Sequence, residues 1–129
     1  TYPELALIRA DATALPFRPG AFDVVTSGLL LHHLEPDEAV AGLREMAAVA
    51  RGAVVVNDLL RTRLAWVLVW LATRLCARHR FSRHDGPLSV RRAYSPDELR
   101  VLAEKAGLPR LAIRRYRWLG RVLAVAGDR

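Results

Sequence analysis

The side chains of this chain that could take part in chemistry are a few strand-end carboxylates, a histidine pair, a His-Asp dipeptide and two tryptophans. Asp11 opens the segment DATALPF at the end of a short apolar stretch. A carboxylate at the carboxyl end of a strand stands where open α/β sheets bind ligands, although an aspartate there also makes an ordinary turn. His32 and His33 are adjacent in LHHL. An imidazole with an ordinary pKa of about 6.5 can take a proton from a hydroxyl nucleophile at neutral pH, or it can simply cap and pack the loop. Lacking further Cys or Asp at ligand spacing, the pair makes a poor metal site. Asn57 and Asp58 close an apolar run and either position a polar substrate group or cap the next turn. His84 and Asp85 could form an oriented base, or fix a loop beside the Gly86-Pro87 turn.

The elements that must position these groups follow from the hydrophobic pattern. Glu4 to Ala10 reads as a strand, and Pro16, Pro19 and Gly20 enforce the loop after it. Phe22 to Thr26 is the next strand, stopped at Ser27 and Gly28. Pro36 starts a helix with Asp37 and Glu38 in its first turn, Val40, Leu43, Ala47 and Ala50 on one face, and Gly52 as its end. Ala53 to Val56 is the continuous apolar run of a strand buried on both faces. A hydrophobic helix over Leu64 to Cys76 carries Trp66 and Trp70 four apart on one face. Its apolar run is far shorter than the roughly 20 residues of a membrane span. With Arg61, Arg63, Arg74 and Arg78 around it, the helix suits a lid over an apolar substrate, core packing, or a place at a membrane interface. Ser95, Pro96 and Glu98 form a capping box for a helix to Ala106, closed by Gly107 and Pro109. Leu111 to Trp118 and Arg121 to Ala126 read as a hairpin around Leu119-Gly120.

Taken together, DATALPF and FDVVTSGLLLHHL resemble the acidic loop after the third strand, and the fourth strand with its loop, of a class I S-adenosyl-L-methionine-dependent methyltransferase of the UbiE-like, small-molecule kind. The resemblance covers almost the whole chain. It implies an α/β fold: an incomplete Rossmann-like sheet with a C-terminal antiparallel hairpin and a helical substrate-lid insertion at 59–94 within one domain portion, 1–129. It also implies roles. Asp11 would accept from the adenine amino group and the Ala12 amide would donate to the ring. Ser27 and Gly28 would pass close to the methionine portion of the cofactor. His32, His33 or His84 would serve as a base, while Asn57, Asp58, Trp66 and Trp70 would face the methyl acceptor. No metal or redox cofactor is implied. The family's glycine-rich first loop has no counterpart here, which makes the chain read as a C-terminal part of such an enzyme, inactive alone, with Thr1 to Ala10 poorly anchored.

Composition limits the partners. The 129 residues carry 20 basic and 13 acidic side chains, a net charge of +7 that by itself raises nucleic acid or an anionic membrane. The excess is nearly all Arg, with Lys105 the only lysine, and the N-P-P-[YF] type motif of nucleic-acid amino methyltransferases is replaced by LHHL. A hydrophobic small molecule, such as a polyketide, quinone or aromatic metabolite, is therefore the expected acceptor, methylated on O or C. A degenerate methyltransferase-like binding module using the basic hydrophobic helix is the alternative, ahead of a nucleic-acid methyltransferase. One cysteine, Cys76, forms no internal disulfide and suits a cytoplasmic setting.

Overall fold

The structure is a computed structural model that describes residues 4–61, 63–76 and 88–127. Four strands make one sheet: β1 (Phe22–Gly28), β2 (Ala50–Leu59), β3 (Leu111–Tyr116) and β4 (Arg121–Gly127), in the spatial order β1-β2-β4-β3. β1 and β2 are parallel, so the chain must cross over between them, and α1 (Pro36–Val49) is that crossover. β4 enters antiparallel between β2 and β3, in the hairpin expected from the sequence. The turn of that hairpin is a 3-10 segment, Arg117–Leu119, closed by Gly120 at φ 59°, a left-handed conformation that glycine adopts without a Cβ clash.

One face of the sheet is the core. Val54 and Val56 of β2 and Val122, Ala124 and Ala126 of β4 alternate inward and meet Ala39, Leu43 and Met46 of α1. Leu99 and Leu102 of α3 (Pro96–Lys105) complete that layer. The opposite face has no covering element among the described residues: Val24 of β1 stands exposed on it. The outer edge of β1 likewise meets no strand among the described residues.

Two expectations are corrected. Glu4 to Ala10 is not a strand; the segment is irregular and exposed, with Leu7 at 98%. An extended segment becomes a strand only when a neighbour takes up its N–H and C=O groups, and no described element lies beside it. Gly52 does not end α1 either. The helix stops at Val49 and β2 begins at Ala50, which places Gly52 within the strand. A Cβ there would lie 2.6 Å from the carbonyl oxygen of Asp23, so glycine serves the close approach of β1 to β2 beside their register irregularity. α2 (Arg63–Cys76) forms where the apolar run predicted it, and a short helical turn follows at 88–92.

The capping box of α3 is present in both directions. Ser95 Oγ accepts from the Glu98 amide at 3.2 Å, and Glu98 Oε2 accepts from the Ser95 amide at 2.7 Å. That Ser95 amide, with the Arg61 guanidinium 2.7 Å from Oε1, holds the Glu98 carboxyl below its ordinary value. Stabilisation by Glu98 is therefore complete above the unfolded-state pKa, about 4.3 for glutamate, and fades as pH falls through the lower folded value. Ser95→Ala is expected to cost about 1 kcal/mol in urea unfolding at neutral pH. Glu98→Gln should flatten the acid limb of the stability profile.

Candidate functional site

The site is built from the carboxyl ends of two parallel strands. β1 delivers Thr26, Ser27 and Gly28, β2 delivers Asn57 and Asp58, and the register pairs Ser27 with Val56 and Gly28 with Asn57. Beside β1 the segment Asp11 to Phe17 folds back on itself. Asp11 Oδ1 accepts from both the amide and the hydroxyl of Thr13, each at 2.8 Å, and the Ala14 amide donates to the Asp11 carbonyl at 3.1 Å. The Thr13 amide first, and its hydroxyl second, hold the exposed Asp11 carboxyl below the usual carboxylate range. Glu45 of α1 anchors the same loop by accepting from the Leu15 amide at 2.8 Å.

Between this loop, β1 and α1 lies a cleft of about 400 Å³ lined by Ala12, Phe17, Val25, Ser27, Gly28 and Met46 among others. Three residues singled out from sequence, Ala12, Ser27 and Gly28, thus share one cavity, whereas Asp11 is not among its lining residues. Ser27 is 7% exposed, and its Oγ is buried without a hydrogen-bond partner among the described residues. Leaving a buried hydroxyl unpaired costs about 1–3 kcal/mol, so a hydroxyl in the lining of a cleft calls for a polar partner there, water or a ligand group. At Gly28 an added Cβ would meet nothing within 4 Å, so this glycine leaves open space. Leu29 follows in the left-handed region at φ 57°, a costly conformation for a bulky residue, with its amide donating to the Asn57 carbonyl at 2.9 Å. A larger hollow of about 520 Å³ at Gly20, Arg51, Gly52 and Gly127 lies at the amino end of β2, away from the strand ends where such sheets bind ligands.

The histidines and strand-end polar residues separate into different tasks. His32 is 5% exposed, and its Nδ1 donates to Asp58 Oδ1 at 2.6 Å. The other carboxylate oxygen accepts from the Leu31 amide at 2.7 Å, while Oδ1 also accepts from the Leu59 amide at 2.7 Å. Asp58 thereby fastens the 3-10 turn Leu31–His33 to the end of β2, and in neutral His32 it leaves Nε2 as the basic nitrogen. Both oxygens of Asp58 are engaged inward, whereas Asn57 is exposed. His33 is exposed too, its ring centre 3.9 Å from that of His32. Tyr94 donates its hydroxyl to the Leu34 carbonyl at 2.6 Å and holds the far end of the same turn. Trp66 and Trp70 stack with ring centres 6.4 Å apart on α2, away from the cleft lining. His84 and Asp85 lie outside the described residues. The coupling of His32 to Asp58 and the anchoring by Glu45 escaped sequence reading, because the partners stand 26 and 30 residues apart and no spacing rule links them. Leu29 carried no signal at all: only glycine or asparagine advertises a left-handed backbone.

Asp58→Ala would strand a buried imidazole and several amides and is expected to cost about 3 kcal/mol in urea unfolding. Asp58→Asn, which still accepts from the Leu31 amide, should cost clearly less. Equal costs would show that the charge and the second oxygen, which Asn lacks, carry the whole contribution of Asp58.

Residues 1–52 match the family model described as a methyltransferase domain. Over 58 residues the chain is 50% identical to a demethylmenaquinone methyltransferase of Beutenbergia cavernae, an alignment covering 43% of this chain and 23% of that protein. A protein from Nostoc punctiforme PCC 73102 assigned as an O-methyltransferase superposes on 94% of this chain with TM-score 0.64 and 15% identity. Magnesium protoporphyrin IX methyltransferase of Synechocystis PCC 6803, solved with S-adenosylhomocysteine bound, covers 93% of the chain at TM-score 0.56 and 18% identity. The chain spans only 23% of the curated relative's length, and 36% and 49% of the two solved chains. Residues 1–52 are thus similar to a methyltransferase domain, and the sheet shares its fold with solved methyltransferases.

Proposed function

We propose that this chain supplies the adenine-side and acceptor-side walls of an S-adenosylmethionine-dependent methyltransferase acting on oxygen or carbon of a hydrophobic small molecule. The observation that carries the reading is the cleft shared by Ala12, Ser27 and Gly28, with a buried, unpartnered Ser27 hydroxyl in its lining. These residues fit the cofactor: a small residue and an amide at one end, a polar anchor and open space at the other. When bound, the cofactor supplies an electrophilic methyl group on a sulfonium. The protein's work is then positioning and exclusion of water, which needs few obligatory side chains.

In this reading Asp11, kept ionised by Thr13, accepts a hydrogen bond from the adenine amino group, and Ala12 lies against the ring. Ser27 donates to or accepts from the polar part of the cofactor, and Gly28 keeps that end of the cleft open. His33, exposed on the turn after β1, is the histidine placed to take a proton from an acceptor hydroxyl; buried His32, locked by Asp58, holds the ring beside it. Asn57 offers a polar contact at the neighbouring strand end. The segment 59–94, which contains α2 with Trp66 and Trp70, forms the apolar side of the acceptor pocket. The name of the Beutenbergia relative supports a quinone-like acceptor.

Calorimetry with S-adenosylhomocysteine tests this on the chain itself and on a chimera in which it replaces the matching segment of the Beutenbergia protein. In the binding-competent protein, Asp11→Ala should weaken affinity at least about tenfold through loss of a charged acceptor. Gly28→Ala, which the fold accommodates, should leave the melting temperature nearly unchanged and still reduce binding. Unaltered affinity in both variants would remove this cleft from the cofactor site.

A further inference from the structure

The outward side of α2 has no part in the cleft. Val67, Leu68, Leu71 and Leu75 are all exposed on it, Leu75 to 75%, and none is covered by a described element. Trp66, by contrast, is only partly exposed. Its indole nitrogen is buried without an acceptor among the described residues, and it lines a groove of about 560 Å³ with Arg61, Arg63, Val67, Val90 and Arg91. Farther along the helix, the Arg74 guanidinium lies 4.8 Å from the centre of the Trp70 ring. Cationic groups thus stand at both ends of an apolar ridge. Arg61 is paired with Glu98 at 2.7 Å, whereas Arg63, Arg74 and Arg91 meet no carboxylate among the described residues. In sequence, no Asp or Glu occurs between Asp58 and Asp85.

From this juxtaposition we infer that α2 is a membrane-surface helix, whose outward leucines enter the acyl boundary of an anionic bilayer while Arg63, Arg74 and Arg91 meet lipid phosphates. The charge decides the occupant. A second copy of the chain would bring the same unpaired arginines against themselves, while an anionic lipid surface neutralises them and takes up the leucines together. The helix lies on the bilayer and does not cross it. Its 14 residues span about 21 Å at the usual rise, short of the roughly 30 Å hydrocarbon core, and no described helix is long and apolar enough to span. Trp70, exposed beside Arg74, suits the headgroup level, where an apolar ring and a polar N–H are both satisfied. The inference does not depend on methyl transfer.

Flotation with vesicles of phosphatidylcholine, alone or mixed with phosphatidylglycerol, tests it on the full chain. Trp118→Phe removes the exposed third indole, so that emission reports Trp66 and Trp70 alone. Binding should be at least about tenfold stronger on the anionic vesicles and weaken with added salt, and the emission should shift to the blue. Leu71→Glu with Leu75→Glu should abolish flotation. Arg63→Glu with Arg74→Glu should reduce it at least about tenfold and, lying at exposed positions, decides the matter if the leucine variant fails to fold by circular dichroism. Absence of binding to anionic vesicles, or equal flotation by the arginine variant, overturns the inference. So does a stable dimer that the leucine substitutions dissolve, which would assign the ridge to a second copy.

Discussion

The Asp58 carboxylate is the point on which the site is assembled. It sits at the end of an interior strand, and its two oxygens take up the His32 imidazole, the Leu31 amide that opens the 3-10 turn, and its own neighbour's amide. A loop leaving a strand end has backbone donors that need partners once buried. Here one buried anion meets that need, so the path of the chain after Gly28 is set by β2 and not by β1. The left-handed Leu29, held to the Asn57 carbonyl, is the backbone cost of turning the chain toward that anion.

A second consequence is a division of labour that adjacent residues do not share. His32 and His33 look equivalent in sequence, yet one is buried and fixed while the other is exposed. Asn57 and Asp58 divide in the same manner, because consecutive strand residues point to opposite sides of the sheet. In both dipeptides one polar group is buried in the scaffold and its neighbour is exposed.

How much of this was readable in the chain depended on the range of the interaction. Local rules worked: Ser95 with Glu98, Pro36 as a helix start, and the Leu119-Gly120 turn all act within a few residues, and each element formed as the pattern required. Ala12, Ser27 and Gly28 meeting at one cleft followed from the family likeness of two segments, which carries the topology that spacing alone lacks. Gly52 misled because a glycine after an apolar helix face looks like a cap, while the contact that demands it, the Asp23 carbonyl, belongs to another strand. Glu4 to Ala10 misled for the complementary reason. Its pattern suits burial, but strand formation is a property of a pair.

The position of β4 inside the sheet has a bearing on how the molecule is made. The strand latest in chain order of the four is an interior one: it separates β2 from β3 and contributes Val122, Ala124 and Ala126 to the core. On a ribosome, β1, α1 and β2 emerge first and can pair, yet β2 keeps a bare apolar edge until β4 arrives from the far side of α2 and α3. Closure of the sheet is thus a late, long-range event, of the kind that slows folding and lengthens exposure to proteases and chaperones.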